Sequence, residues 1–163
     1  MTAAAGPEAK ELIARFALQP HPEGGWYREC HRSSLVVTRQ DGASRSGLTT
    51  ILFLLEERQS SLWHRVTGAD EVWQFLDGAA LELLCLPPAG GSPRRHLLNA
   101  PRQDLEAEPM VVVPARWWQA ARSLGAWTLV SCAVGPGFSF EDFTLLRDLP
   151  EEQRPPGATA TFL

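Results

Sequence analysis

With 163 residues, 44% of them apolar, the chain is long enough for one domain (1–163) with one core and too short for two. Its 15 basic and 19 acidic residues give a formal net charge of -4 and nowhere form a run of five or six like charges, which argues against a nucleic-acid partner. No apolar stretch reaches membrane-spanning length, and Met1–Glu8 has neither the basic region nor the apolar core of a signal peptide, so a cytoplasmic chain without a membrane partner is expected.

Pro7 followed by Glu8 and an apolar stripe of Leu12, Ile13 and Phe16 predicts a short amphipathic helix over 6–18, ended by Pro20 and Pro22. Gly24-Gly25 then marks a tight turn or a close backbone approach. From Trp26 the pattern changes to short β-branched or aromatic segments punctuated by Gly, Pro, Asp and Ser. The predicted strands are Trp26–His31, Ser34–Thr38, Leu48–Leu55, Ser61–Arg65, Glu71–Leu76, Ala80–Leu86, Arg95–Leu98, Met110–Pro114, Gln119–Ser123, Ala126–Val134 and Thr144–Leu146. Such a series over 26–146 reads as an all-β sandwich or barrel. Ile51–Leu55 does not alternate, as in a strand covered on both faces by a sheet or a second subunit. Arg39–Gly47 reads as a polar, mobile connection, and 149–163 as a loosely held tail with little to bury before Phe162. Cys30, Cys85 and Cys132 are odd in number and widely spaced, which fits reduced thiols better than a disulfide framework.

The segment from Leu62 to Gly78 is richest in chemistry. A strand ending near His64 is followed, after a tight turn, by one that begins with Glu71, so that Glu71, Trp73 and Phe75 share a face. A carboxylate leading two aromatics on an inward face is costly unless it is paired or used.

This segment resembles the first signature of the cupin superfamily: Gly, five residues, His-x-His, three or four residues, Glu, six residues, Gly. His64, Glu71 and Gly78 match, while Arg58 stands at the first Gly and Val66 at the second His. The second signature, Pro-x-Gly-x-x-His, aligns with Pro114–Gln119 but has Arg116 at the Gly and Gln119 at the His. His21–Glu29, Leu48–Leu55, Trp63–Val66, Asp70–Trp73, Val113–Ala121 and Val134–Phe143 further resemble one small cupin family labelled a predicted sugar epimerase, though Gln74 stands where that family commonly has His. The resemblance implies a double-stranded β-helix, often a homodimer, with one small-molecule pocket per subunit. It also implies His64, Glu71 and Gln119 as the metal position. That set is short of imidazole and carboxylate for a first-row ion, so no tightly bound metal is expected, with weak or substrate-completed coordination by a divalent ion left open.

His64 and Glu71 are the catalytic candidates, with Tyr27 as the available phenolic acid; Gln119, Trp73, Arg65, Arg28 and Phe140 are candidates for contacting the ligand. The plain alternative for His64 is a hydrogen-bonded core histidine, and Glu71 at this offset turns the balance towards a site. His21, His31 and His96 have no motif of their own and read as surface or loop residues, and Glu141-Asp142 reads as a solvated turn. A homodimer is expected because Ile51, Phe53 and Trp118 need cover. Three functions fit: an epimerase, isomerase or lyase in which His64 and Glu71 move a proton; a ligand-binding or sensing cupin that has lost chemistry; and a metal-dependent oxygenase.

Overall fold

The computed structural model describes residues 8–163. Helix α1 (Ala9–Phe16) is followed by strands β1 (Gln19–Pro20), β2 (Trp26–Arg32), β3 (Val36–Thr38), β4 (Ser44–Ser46), β5 (Thr49–Glu56), β6 (Ser60–Val66), β7 (Asp70–Gly78), β8 (Leu81–Leu86), β9 (Arg94–Leu98), β10 (Met110–Val113), β11 (Trp118–Ser123), β12 (Trp127–Gly135) and β13 (Phe143–Leu145). A six-stranded sheet in the order β1-β2-β5-β12-β7-β10 faces a five-stranded sheet in the order β13-β6-β11-β8-β9, and β3 pairs with β4 in a separate hairpin. The chain is therefore all-β, a double-stranded β-helix with one short helix.

Alternation along each strand decides what enters the space between the sheets. Glu71 and Trp73 of β7, Leu81 and Leu83 of β8, and Val130 and Cys132 of β12 are buried there with Phe53 and Leu55 of β5. The opposite faces are covered in two ways. Leu12 and Leu18, in and just after α1, pack on Leu54 and Leu129, which accounts for the apolar second face of β5. On the other sheet, Trp63 and Trp118 pack with Leu86, Leu146 and Phe162.

Several expectations change at this point. The helix spans Ala9–Phe16 rather than 6–18; Ala17 turns into the left-handed region at φ 51°, and the Leu18 amide donates to the Ile13 carbonyl. Gly6 and Pro7 lie outside the described residues. The tail is docked rather than loose: Phe162 is 3% exposed, and the Trp63 indole donates to the Thr159 carbonyl at 3.1 Å. Phe53 and Trp118 are each 1% exposed within the single chain, so they give no reason for a second copy. The Arg39–Gly47 segment includes β4 and is tied down through Arg39 and Arg45, which both donate to Asp142. Asp142 is accordingly buried, not part of a solvated turn. Among the described residues no helix is long and apolar enough to cross a membrane.

Candidate active site

At one end the two sheets diverge around a cavity of about 770 Å³, within the size range of small-molecule sites. The loop between β1 and β2 shapes its floor. Gly24 and Gly25 adopt φ of 104° and 72°, and a Cβ on Gly24 would run into the Ser60 carbonyl, so only glycine lets this loop press against β6. The approach is fixed by the Leu62 amide donating to the Glu23 carbonyl at 2.8 Å. It drops the Glu23 side chain into the interior, where Oε1 accepts from Ser61 Oγ at 2.8 Å and Oε2 lies 3.2 Å from His64 Nε2.

His64 comes from β6 of the five-stranded sheet and Glu71 from β7 of the six-stranded one, and both line the cavity. His64 Nδ1 is 2.7 Å from the Leu62 carbonyl, which can only accept, so Nδ1 carries a proton and Nε2 is left to face Glu23. His21 Nδ1 accepts from the Glu23 amide at 3.2 Å and lies 3.4 Å from Glu23 Oε2. Glu71 Oε2 accepts from Gln119 Nε2 at 2.6 Å, and Gln119 Oε1 accepts from the Trp73 indole at 2.7 Å. Cys132, also buried, lines the same cavity.

Burial dominates the charges here. It raises the pKa of Glu23 despite the neighbouring His21, and it lowers that of His64 despite Glu71. Both shifts favour a neutral pair in which Glu23 donates to His64 Nε2. Burial also pushes Glu71 up to about 7, against the pull of His64 and with the help of Glu23. His21 is lowered by burial as well. The floor therefore holds groups that can both give and take a proton near neutral pH.

Of the residues singled out from sequence, His64, Glu71, Tyr27, Arg28 and Phe140 line the cavity. The ring of Tyr27 meets His21 edge to face at 4.5 Å between centroids. Phe140 is half exposed at the rim, in an aromatic group with Phe138 and Phe143. Arg28 donates to the Phe16 carbonyl from Nη1. Trp73, Gln119 and Arg65 do not line the cavity. Trp73 and Gln119 stand behind Glu71, and Arg65 stacks 4.6 Å over the ring of Trp118 on the far face of its sheet. Two residues of the floor escaped the sequence: His21, read as a surface residue, and Glu23. Their available signal was the Gly24-Gly25 pair directly after them, a mark of close backbone approach.

The metal position expected at His64, Glu71 and Gln119 does not fit an ion. A neutral amide is a weak donor, the Gln119 oxygen already accepts from Trp73, and His64 Nε2 faces Glu23. The turns of the two signatures do survive the loss of their glycines: Arg58 and Arg116 take φ of 68° and 74°, the left-handed conformation for which glycine is the usual choice.

Two facing antiparallel sheets that open at one end on a cavity with a polar floor, with histidine and glutamate at the first-signature positions, define a cupin. The chain belongs to the family described as Cupin superfamily (DUF985), whose model matches residues 10–146. It is similar to a hypothetical protein from Leishmania major (31% identity, TM-score 0.77, 85% of this chain and 86% of that one covered). It is also similar to a protein from Shewanella oneidensis (30% identity, TM-score 0.76, 86% and 85% covered). Oxalate decarboxylase from Bacillus subtilis shares the fold at 16% identity and TM-score 0.57, over 82% of this chain and 32% of that one. No curated protein sequence matches the chain.

Proposed function

We propose that this cupin moves a proton on a small polar, sugar-like metabolite, as an epimerase, isomerase or lyase acting at a carbon beside a carbonyl. The observation that carries the reading is the placement of His64 and Glu71, from facing sheets, on one cavity. Epimerisation removes a proton from one side of a carbon and returns one to the other, so it needs two proton-carrying groups on either side of the substrate. Glu71, with its pKa near 7, takes or gives one proton; the His64–Glu23 pair handles the other. Tyr27 and the rim ring of Phe140 offer an apolar face against which a sugar-like ring can lie.

A second reading is a binding or sensing cupin, favoured by the loss of the superfamily's second and third histidines to Val66 and Gln119. One experiment separates the two. The protein is denatured, the small molecule it releases is identified by mass spectrometry, and that compound is incubated with fresh protein in deuterated water. Uptake of one deuteron at the carbon beside the carbonyl, lost in His64→Ala and Glu71→Gln, is the expected result. Retention of the compound without any exchange would replace catalysis by binding.

A further inference from the structure

At the residues where a cupin would carry a metal, His64 Nε2, one Glu71 oxygen and Gln119 Oε1 each already have a protein partner, and those partners identify what stands in the metal's place. His64 is oriented as a metal-binding imidazole is, with Nδ1–H on a backbone carbonyl so that Nε2 points inward. Yet Nε2 meets Glu23 Oε2 at 3.2 Å. Glu71 has one oxygen on Gln119 Nε2 at 2.6 Å. Gln119 has a single atom that could ligate, its Oε1, and that atom accepts from Trp73 at 2.7 Å. An indole N–H only donates, so the amide cannot be turned round to free it. The remaining superfamily position is filled by Val66, an apolar side chain buried at 4% exposure.

We propose that Glu23 and the Trp73–Gln119 pair occupy the coordination positions of the superfamily metal, leaving a metal-independent floor in which Gln119 is a positioning residue that aims Glu71 into the cavity. The inference does not rest on the cavity being catalytic, since hydrogen bonds of this kind would serve a binding cupin equally well. It makes Gln119 more than a decayed histidine. An amide can orient a carboxyl by donating to it while its own oxygen is anchored.

The test is titration of the untagged protein, dialysed against chelator, with Zn²⁺ and separately with Mn²⁺ by calorimetry. The wild-type chain is expected to show no saturable one-to-one binding in the micromolar range. The double variant Glu23→Ala/Gln119→His, its fold checked by circular dichroism, is expected to bind at least tenfold more tightly and to lose that gain when His64→Ala is added. Micromolar binding by the wild type that disappears in His64→Ala overturns the proposal, and so does a folded double variant that binds no better than the wild type. Should the double variant fail to fold, Gln119→His alone is titrated, with the same gain expected and the same meaning if it is missing.

Discussion

Along the inward face of β7 the interior changes character over a few residues, from Glu71 at the cavity through buried Trp73 to Phe75, half-buried against the hydrocarbon core. The closed end holds Leu81, Leu83, Leu98, Val111 and Val130, none more than 6% exposed. The cavity end buries two carboxyls, an imidazole and an amide. One end gains about 1.5–3 kcal/mol for each large apolar side chain removed from water, while the other spends part of that gain on polar groups held away from water. The same strands run through both, so the rigid end fixes the geometry of the costly one. The division predicts that substitutions at the closed end cost stability first, and that those at the cavity end change proton chemistry while costing little stability or even restoring some.

The largest expected effect is at Leu83, fully buried on β8. Leu83→Ala is expected to cost about 2–5 kcal/mol, from lost burial and an unfilled void. Urea unfolding measures it, and a loss below 1 kcal/mol would erase the distinction between the two ends.

At the cavity end, Glu71→Gln is expected to act in the opposite direction at alkaline pH. Burial raises the folded-state pKa of Glu71 from 4.5 to about 7, so the folded chain holds this proton more tightly than the unfolded one. Its contribution is fully present below pH 4.5 and is lost as the pH rises through about 7, which makes the wild type less stable on the alkaline side by up to about 3 kcal/mol. Glutamine has the same shape and no charge to desolvate. The variant is therefore expected to match the wild type near pH 4.5 and to be more stable than it at pH 8, read as a difference between their urea midpoints. Glu23 contributes with the same sign and the lowered His21 and His64 with the opposite one, so the variant is compared with the wild type at each pH. Equal stability at both pH values would mean that Glu71 is hydrated rather than buried.

The fold was legible in the sequence because its signals are local. Strand after strand falls within a residue or two of its predicted bounds, since alternation and turn residues act over short spans. His64 and Glu71 were legible because their spacing is fixed across one short turn between consecutive strands, β6 and β7. Glu23 and His21 were not, for a physical reason: 41 positions separate Glu23 from His64, and only the three-dimensional approach of the Gly24-Gly25 turn to Ser60 joins them. Gln119 was read as a ligand donor from its place in a motif, but the direction of an amide depends on Trp73, which no pattern of spacing reports. Arg39, Arg45 and Asp142 were misread together, because each looks solvated until the other two stand beside it.

That last trio gives the smallest and most local expected effect. Asp142 Oδ2 accepts from Arg39 Nη1 at 2.9 Å and from Arg45 Nε at 2.8 Å, and Oδ1 accepts from Arg45 Nη2 at 3.0 Å. Burial works against the Asp142 charge, and the hydrogen bonds from Arg45 and Arg39 more than offset it, holding its pKa below the ordinary carboxylate value. A depressed carboxylate contributes stability above its unfolded pKa and loses it as the pH falls through the folded one, so this clasp stays closed at neutral pH and opens only in acid. It joins the β3–β4 hairpin to the loop bearing Phe138 and Phe140, which forms part of the cavity rim. Asp142→Asn removes the charge that both guanidiniums face and leaves the backbone path unchanged. Hydrogen exchange is expected to quicken at residues 36–46 and 138–142 while the amides of β8 and β12 keep their protection. If protection instead fell throughout both sheets, the clasp would be part of the closed end's stability, and the boundary between a rigid half and a working half would have to be moved to include the rim.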